Sequence, residues 1–225
     1  MVQRFGVDVH FHHAKPGTLE WIQTLGIKTV IDIGANVGQF EDEIREIIPN
    51  VESYAFEPLA DCFTQLEKKA NEESRFHIFP YALGNHDGKM LMHKHAYTPS
   101  SSLLQSSIIL DDAFPEKHGA TSETIEIRKL DDILSSRNLQ EEILINIDVQ
   151  GYEAEAIAGG RETFAKTKLV IIESSFVSLY KGQPLFADIH KLLSGLGFSY
   201  CGSWREKRHP KTGEILFEDS LYLKL

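Results

Sequence analysis

Four acidic residues of this sequence stand at or near the ends of short apolar runs, where buried strands would stop. They occur in VIDIGANVG, YAFEP, INIDVQG and LVIIE, and they are Asp32, Glu57, Asp148 and Glu173. Carboxylates can accept hydrogen bonds from sugar hydroxyl groups, offset a positive charge or accept a proton from a reacting group. These four residues can act together only if the fold brings the strand ends to one place.

Short apolar runs alternate along the chain with segments of helical periodicity, which is typical of a mostly parallel sheet covered by helices on both faces. The predicted strands are 28–33, 51–56, 75–81, 142–147 and 168–173, with a closing antiparallel pair at 198–204 and 220–225. The predicted helices are 16–25, 38–48, 59–71, 152–158 and 185–196. We therefore predict an α/β fold: a doubly wound, mostly parallel seven-stranded sheet with an antiparallel terminal strand, a Rossmann-like architecture.

The pattern changes between about residues 85 and 130. Two strand-like runs, 89–95 and 121–128, replace the regular alternation, and Asp131 and Asp132 follow as predicted caps of a short helix. We predict that 85–130 is an insertion over the sheet and not a separate domain. Insertions at strand ends usually carry specificity.

The loops after the first two strands are the expected place for a cofactor, because ligands of open α/β sheets bind beyond the carboxyl ends of the strands. Gly34 permits a tight turn, Gly38 permits close approach of a ligand to the next helix, and Glu57 is placed to accept hydrogen bonds from ribose hydroxyls. A dinucleotide fingerprint, G-x-G-x-x-G, would need glycine where Asn36 and Gln39 stand. Without those glycines the backbone cannot approach a pyrophosphate. This favours S-adenosylmethionine, a cofactor that has none.

Further motifs extend this interpretation over nearly the whole chain. They are VIDIGANVGQF, AFEP, YALGNHDG, the Ser100–Leu103 stretch, KLDDIL, IDVQGYEAEAIAGG, LVIIE and DSLYLK, of which IDVQGYEAEAIAGG is the most specific. Together they resemble the FkbM family of methyltransferases from about Leu19 to the C-terminus. The resemblance implies a class I methyltransferase fold and, as in members with assigned roles, methylation of a hydroxyl group on a sugar or natural product.

The resemblance also implies which residues hold the cofactor. Asp32 and Gly34 would line the methionine end, Glu57 would hold the ribose, and Ala82 and Leu83 would flank the adenine. The full set of predicted cofactor contacts is Asp32, Gly34, Ala35, Asn36, Gly38, Glu57, Pro58, Ala82, Leu83 and Asp148.

Methyl transfer to an alcohol requires alignment of the nucleophile with the methyl group and removal of the hydroxyl proton. Asp148, at the end of the fourth predicted strand, is a candidate base or cofactor-positioning group; its alternative role is N-cap of the helix near Tyr152. Glu173 ends the neighbouring strand and is the second catalytic candidate, with orientation of sugar hydroxyls or capping as alternatives. The two carboxylates could together hold Mg²⁺, although the sequence shows no third ligand.

Histidine is the other candidate base. His93 and His95 alternate onto one face of an exposed predicted strand, and His95 is the third catalytic candidate. His10, His12 and His13 cluster near the N-terminus, where they could bind a transition metal or belong to a polar arm.

Several aromatic residues have less specific roles. Tyr152 and Tyr180 are candidates for stacking against the substrate or for core packing. Trp21, Phe176 and Phe186 are predicted core residues.

Composition and charge disfavour several other functions. The chain fits one domain, 1–225, and its net charge of −10 disfavours nucleic acid, because phosphates require a positive face. No apolar run reaches the roughly 18 residues of a membrane span. The absence of a signal-peptide pattern and the isolated Cys62 and Cys201 predict a cytoplasmic protein. The expected partner is a small-molecule hydroxyl acceptor. The alternatives are a protein or lipid acceptor, or a module that binds S-adenosylmethionine without turnover; the oligomeric state is not predicted.

Overall fold

The computed structural model describes residues 19–95, 97–114 and 120–224. In chain order its strands are β1 (Thr29–Ile33), β2 (Glu52–Phe56), β3 (Phe76–Phe79), β4 (Ala82–Leu83), β5 (Gly88–His95), β6 (Ala120–Arg128), β7 (Ile143–Ile147), β8 (Thr167–Ser175), β9 (Ser199–Arg208) and β10 (Ile215–Leu223). Its α-helices are α1 (Gln39–Ile47), α2 (Ala60–Glu72), α3 (Ile108–Ala113), α4 (Leu130–Leu134), α5 (Glu153–Ala158), α6 (Arg161–Ala165) and α7 (Phe186–Gly195).

Seven strands form the main sheet, in the order β3-β2-β1-β7-β8-β10-β9. The pairs from β3 to β8 are parallel, whereas β10 is antiparallel to both β8 and β9. The predicted doubly wound, mostly parallel seven-stranded sheet with an antiparallel terminal strand is therefore confirmed. The chain runs outward from β1 to β3 and then returns to β7 on the other side of β1, so the switch point for ligand binding lies between β1 and β7.

The core lies on both faces of this sheet, because successive strand residues point to opposite sides. On β1, Ile31 packs in the cluster of one face and Val30 in the cluster of the other; on β7, Ile145 and Leu144 divide in the same way. Burial on both faces explains why these strands are continuous apolar runs. None of the helices in the described ranges is long and apolar enough to cross a membrane.

A second, three-stranded sheet has the order β4-β6-β5, and two of its strands, β5 and β6, lie within the predicted insertion 85–130. Strands β5 and β6, both predicted as strand-like runs, pair with each other in antiparallel orientation. Met90 and Met92 of β5 pack against the cluster that contains Ile125 and Ile127 of β6, and Tyr152, at the start of α5, packs against the same cluster. This contact fastens the small sheet to the loop that follows β7.

Two details of the predicted helices differ in the structure. Residues Glu20–Leu25 form a 3₁₀ helix, while the earlier part of the predicted segment 16–25 lies outside the described residues except for Leu19. Asp131 does not cap its own helix α4; its carboxylate accepts hydrogen bonds from the backbone N–H groups of Glu162 and Thr163 in α6, both at 2.9 Å. A side chain can thus cap a helix that is distant in sequence, which a local pattern cannot reveal.

The predicted aromatic core is also only partly correct. Trp21 is half-buried against the core, but Phe176 is 40% exposed. Its ring stacks on Phe186, with centroids 5.1 Å apart. Phe176 directly follows the last residue of β8, so it lies beyond the buried part of that strand.

Candidate active site

A cavity of about 310 Å³ opens at the carboxyl ends of β1, β2 and β7, against the start of α1. This is the location that the switch point predicts. The predicted cofactor contacts that line it are Asp32, Gly34, Ala35, Asn36, Glu57, Pro58, Ala82, Leu83 and Asp148. Of the predicted set, only Gly38 does not line it.

The two glycines after β1 have different roles. Gly34 has a φ of 90°, and a Cβ there would lie 2.0 Å from the carbonyl oxygen of Asp148, so glycine is needed to bring the two loops together. Gly38 has a φ of 83° and precedes α1, but a Cβ there would meet Leu66 and Lys69 of α2. Gly38 therefore permits packing between helices, not the predicted approach of a ligand.

Glu57 ties together the loops after β1 and β2. One carboxylate oxygen accepts a hydrogen bond from the backbone N–H of Asn36 at 2.9 Å, and the other accepts one from Leu59 at 2.8 Å. Burial raises the pKa of Glu57 to about 7, although both N–H groups favour the ionised form. Each oxygen retains a further lone pair, so the carboxylate can still accept hydrogen bonds from ribose hydroxyls.

Asp32 lies opposite Asn146 in the pairing of β1 with β7. The side-chain amide of Asn146 donates to Oδ1 of Asp32 at 2.8 Å, while Oδ2 is buried and has no hydrogen-bond partner among the described residues. Burial raises the pKa of Asp32 to about 7. A buried carboxylate oxygen without a partner is costly unless a ligand supplies a donor or a positive charge.

These features fit S-adenosylmethionine. The unpartnered Asp32 Oδ2 suits the amino group of its methionine end, Glu57 suits the ribose, and the cavity wall at Ala82 and Leu83 suits the adenine. At the position of the second glycine of a dinucleotide site, the cavity has Asn36, whose φ is 48° and whose side chain occupies space that a pyrophosphate would need. That side chain donates to the hydroxyl of Thr98 at 3.0 Å.

Asp148 lies just beyond β7, where its backbone N–H donates to the carbonyl of Ile33 at 3.0 Å. Its side chain lines the cavity. The alternative role as a helix cap is excluded, because α5 begins at Glu153 with Tyr152 as the N-cap residue and without a side-chain capping bond. The carboxylate of Asp148 is therefore available for a role in the cavity.

Glu173 lies near Asp148 but does not line the cavity. It is buried on β8, directly opposite Asp219 of β10. Burial, together with the negative charges of Asp148, Glu153 and Asp219, raises the pKa of Glu173 well above its usual range. Its position suits a group that acts on Asp148 better than one that contacts the acceptor.

The described part of the chain contains no group of three or more His, Cys, Asp or Glu side chains that could hold a metal ion. An amide stands between the two carboxylates that were the Mg²⁺ candidates: Nε2 of Gln150 donates to Asp148 at 2.5 Å and to Glu173 at 3.0 Å. The predicted Mg²⁺ site is therefore not supported, because N–H donors occupy the position that a shared cation would take.

His95 is not brought to the cavity. It is buried at the end of β5, and its backbone N–H donates to the hydroxyl of Ser101 at 3.1 Å. Met92 lines the cavity, and alternation along the strand directs His93 and His95 to the other face. His95 thus lacks the position of a base that acts on a substrate in this cavity. The residues His10, His12 and His13 lie outside the described residues.

The two tyrosines that were candidates for substrate stacking differ in position. Tyr152 lines the cavity, and its hydroxyl lies 3.6 Å from the sulfur of Met90. Tyr180 is fully buried, and its hydroxyl lies 2.6 Å from Oε1 of Gln150 and 3.1 Å from the carbonyl of Ser100. Tyr180 therefore supports the site from behind and offers no face to a substrate.

Several residues of the site were missed in the sequence. Gln150 connects the two carboxylates, and Trp204, Arg205 and Asp219 line the side of the cavity formed by β9 and β10. Asn146 could have been found, since a polar residue inside the apolar run of a buried strand needs a polar partner across the sheet. For Trp204 and Asp219 the sequence held no signal, because their place depends on the register of the β9–β10 pair.

Similarity to known proteins agrees with this site. The family model for the methyltransferase FkbM domain matches residues 32–200. The 2-O-methyltransferase NoeI of Sinorhizobium fredii (strain NBRC 101917 / NGR234) is 30% identical over 174 residues, which cover 73% of this chain and 71% of that protein.

Several solved structures also align with the chain. A precorrin-6y C5,15-methyltransferase from Geobacter metallireducens GS-15 aligns with a TM-score of 0.43 and 11% identity, over 90% of this chain and 82% of that one. A fibrillarin/NOP5P complex aligns with a TM-score of 0.49 and 17% identity, over 89% of this chain and 74% of that one. The family match spans most of the chain and includes the loops that form the cavity, so the chain belongs to the FkbM family of S-adenosylmethionine-dependent methyltransferases.

Proposed function

We propose that this protein transfers a methyl group from S-adenosylmethionine to a hydroxyl group of a sugar or a related natural product. The observation that carries the proposal is the single cavity in which Asp32, Glu57 and Asp148 meet. The 30% identity with a 2-O-methyltransferase supports oxygen as the atom that receives the methyl group.

The cofactor, when bound, supplies a methyl group activated by the positive charge of its sulfonium. The protein must hold the cofactor and remove a proton. Asp32 would bind the cofactor's amino group through the oxygen that lacks a partner, and Glu57 would bind the ribose. Asp148 would accept the proton of the acceptor hydroxyl or offset the sulfonium charge. Glu173, out of the cavity, would influence Asp148 through the Gln150 amide, which bonds to both carboxyl groups.

Support for a polyhydroxylated acceptor comes from the cavity wall formed by Trp204, Arg205 and Asp219. The guanidinium of Arg205 lies 3.6 Å from the centre of the Trp204 ring and donates to both carboxylate oxygens of Glu43, at 2.7 and 2.8 Å. An aromatic side chain beside a carboxylate and a guanidinium offers apolar contact together with hydrogen-bonding groups. A sugar ring can use both.

The insertion 85–130, within the single domain 1–225, would contribute acceptor specificity. Met92, Ser101 and Leu103 of this region line the cavity. A cytoplasmic location is proposed because the two cysteines are free, which suits a reducing compartment.

The proposal is tested by binding and by turnover. S-adenosylhomocysteine at a hundredfold excess over its Kd should stabilise the protein by about 2.7 kcal/mol, while NAD(H) should have no effect. Incubation with S-adenosylmethionine and a library of carbohydrates and glycosylated natural products should give a product heavier by one methylene group (about 14 Da) in mass spectra. Stabilisation by NAD(H) alone would reject the cofactor assignment.

The other functions predict different results from the same screen. Methylation confined to proteins or lipids would contradict the small-molecule acceptor. Binding of S-adenosylhomocysteine without turnover on any acceptor class would favour a module that binds the cofactor without catalysis.

A further inference from the structure

The side chain of Gln150 bonds to both carboxylates near the candidate active site. Its Nε2 carries two hydrogen atoms, and it lies 2.5 Å from Oδ1 of Asp148 and 3.0 Å from Oε1 of Glu173. One amide group can therefore donate to both carboxylates at once. Without it, two acidic side chains would face each other across neighbouring strand ends.

The orientation of this amide is fixed from its other side. The hydroxyl of Tyr180 donates to Oε1 of Gln150 at 2.6 Å. With the oxygen held by that donor, the nitrogen must face Asp148 and Glu173. The reverse orientation would set the amide oxygen against two acceptors, which is unfavourable when either is ionised. Tyr180 is fully buried, so its hydroxyl cannot turn to water, and its other acceptor, the carbonyl of Ser100, is farther away at 3.1 Å.

The backbone of Gln150 is also held in an unusual conformation. Its φ is 53°, in the left-handed region that residues other than Gly, Asn and Asp rarely adopt. The hydroxyl of Ser102 donates to the carbonyl of Gln150 at 2.6 Å, so the insertion secures this conformation. Strained residues of this kind cluster at functional sites and persist only where the surroundings enforce them.

Asp148 lies in a negatively charged environment that this amide opposes. It interacts electrostatically with Glu173 on β8, Glu153 on α5 and Asp219 on β10. Asp32 on β1 and Glu57 after β2 act on it from the other side. These are like charges, which oppose the ionised form of Asp148, whereas an N–H donor favours it.

We propose that Gln150 is the positioning residue for Asp148: its amide, oriented by Tyr180, holds the Asp148 carboxylate in the cavity and separates it from Glu173. The inference rests on the proposed function, in which Asp148 takes up the acceptor proton. Gln150 itself does not need to contact the acceptor. Its contribution is to keep a base ionised and in place beside several other carboxylates.

The test is the substitution Gln150→Met, which keeps the length of the side chain and removes both donors. We expect kcat to fall about 10-fold to 100-fold. The acidic limb of the pH profile of kcat should move to higher pH by roughly one unit, since Asp148 loses a donor that favours its ionised form. The Kd of S-adenosylhomocysteine should stay within about twofold. Tyr180→Phe should give a smaller change in the same direction, because the amide keeps its place but loses its fixed orientation.

Gln183→Ala is the matched control, because Gln183 accepts a hydrogen bond from the Tyr180 backbone N–H and touches neither carboxylate. It should lower the Tm without moving the pH profile. A second readout needs no acceptor: in protein with ¹³C-labelled aspartate, NMR titration should show a higher Asp148 pKa in Gln150→Met than in wild type.

The two proposals fail in different ways. A wild-type protein that methylates no hydroxyl acceptor would contradict the proposed function, and the NMR titration would still judge the role of Gln150. A wild type that turns over, with an unchanged pH profile and an unchanged Asp148 pKa in Gln150→Met, would overturn the inference alone.

Discussion

The two ends of the cavity are held together in different ways. At the cofactor end, Glu57 accepts hydrogen bonds from the backbone N–H groups of Asn36 and Leu59. At the end where we place the acceptor, Gln150 depends on the side chains of Tyr180 and Glu173. Backbone donors move only if a loop moves, whereas side chains can be replaced one at a time without changing the sheet. The geometry of the cofactor end is therefore determined by the backbone fold, and the geometry of the other end is determined by individual side chains.

The comparison extends to the two carboxylates of the cofactor end itself. Both oxygens of Glu57 have backbone partners, but Asp32 has one oxygen bound to Asn146 and one without a partner in the described structure. Glu57 thus combines a structural role with the binding role that we propose for it. The buried carboxylate of Asp32 lowers the stability of the protein without ligand, and its burial becomes favourable only when a positively charged ligand group binds to it. Substitutions at these residues should separate stability from binding.

The largest expected effect is that of Asp148→Asn, which tests the acceptor end. The change is nearly isosteric and removes the charge that would accept the hydroxyl proton, so turnover should fall by roughly 10²–10⁴. The Tm should change little, because Asp148 caps no helix. Steady-state kinetics with a responsive acceptor and a thermal melt measure the two quantities.

Treatment of the wild type with EDTA is the control for that experiment. We expect full activity, since Gln150 occupies the space between the two candidate metal ligands. Activity that is lost to the chelator and restored by Mg²⁺ would make Asp148 a metal ligand. An Asp148→Asn variant with normal turnover would remove the residue from the reaction.

The next largest effect is expected for Asp32→Asn on cofactor affinity. Loss of one partner in a buried charge pair costs about 2–5 kcal/mol, so the affinity for S-adenosylhomocysteine should fall about 30-fold or more. The free protein at pH 8 should be at least as stable as the wild type, because a buried carboxylate without a full set of partners is removed. Calorimetry and thermal melts provide both values. Unchanged affinity would place the amino group elsewhere.

Glu57→Ala should have a smaller effect on affinity and a larger effect on stability. Loss of hydrogen bonds from ribose to a carboxylate costs on the order of 1.5–3 kcal/mol, which lowers affinity at least about tenfold. The same substitution leaves the N–H groups of Asn36 and Leu59 without their acceptor, so the Tm should fall while the protein stays folded. Normal calorimetric affinity would show that the ribose binds elsewhere.

The same difference between the two ends explains what the sequence could predict. The sheet and the contacts near Gly34 and Glu57 were predictable, because they follow from local periodicity and from residues that adjoin strand ends. The roles of Gln150 and Tyr180 were not. Their bonds join residues 30 positions apart through side-chain geometry that no local pattern specifies.

The errors have the same physical origin. His95 was assigned to the site by strand alternation, but alternation alone does not say which face of β5 meets the cavity. The face that meets the cavity is the one on which Met92 lies. Asp148 and Glu173 were correctly placed near each other, yet the amide between them could not be foreseen. Position along a strand is readable in the sequence, while the choice of face and the identity of an intervening group depend on packing.

A pH dependence should separate the free protein from the complex. Burial raises the pKa of Asp32 and Glu57 to about 7, and does the same for Glu153 and Asp219. The usual pKa values of these groups are about 4. Between about pH 4 and pH 7 the folded protein therefore retains protons that the unfolded chain has already released. The stability from these groups is full below about pH 4 and is lost as the pH rises through about 7. The Tm of the free protein should therefore fall between pH 5 and pH 8, at about 2–4 °C per kcal/mol lost.

Binding of S-adenosylhomocysteine should have the opposite pH dependence, because of one of these four groups, Asp32. A cationic amino group at Asp32 favours the ionised carboxylate, so the affinity for S-adenosylhomocysteine should rise over the same pH range as the free protein becomes less stable. Asp32→Asn should flatten the affinity curve and make the stability curve less steep, since three of the four groups remain. A control at the exposed Lys207, Lys207→Ala, should leave the slopes of both curves unchanged. If Asp32→Asn kept the wild-type slope in both measurements, the proton uptake would belong to another carboxyl group. The cofactor end would then lack the charge complementarity that distinguishes Asp32 from Glu57.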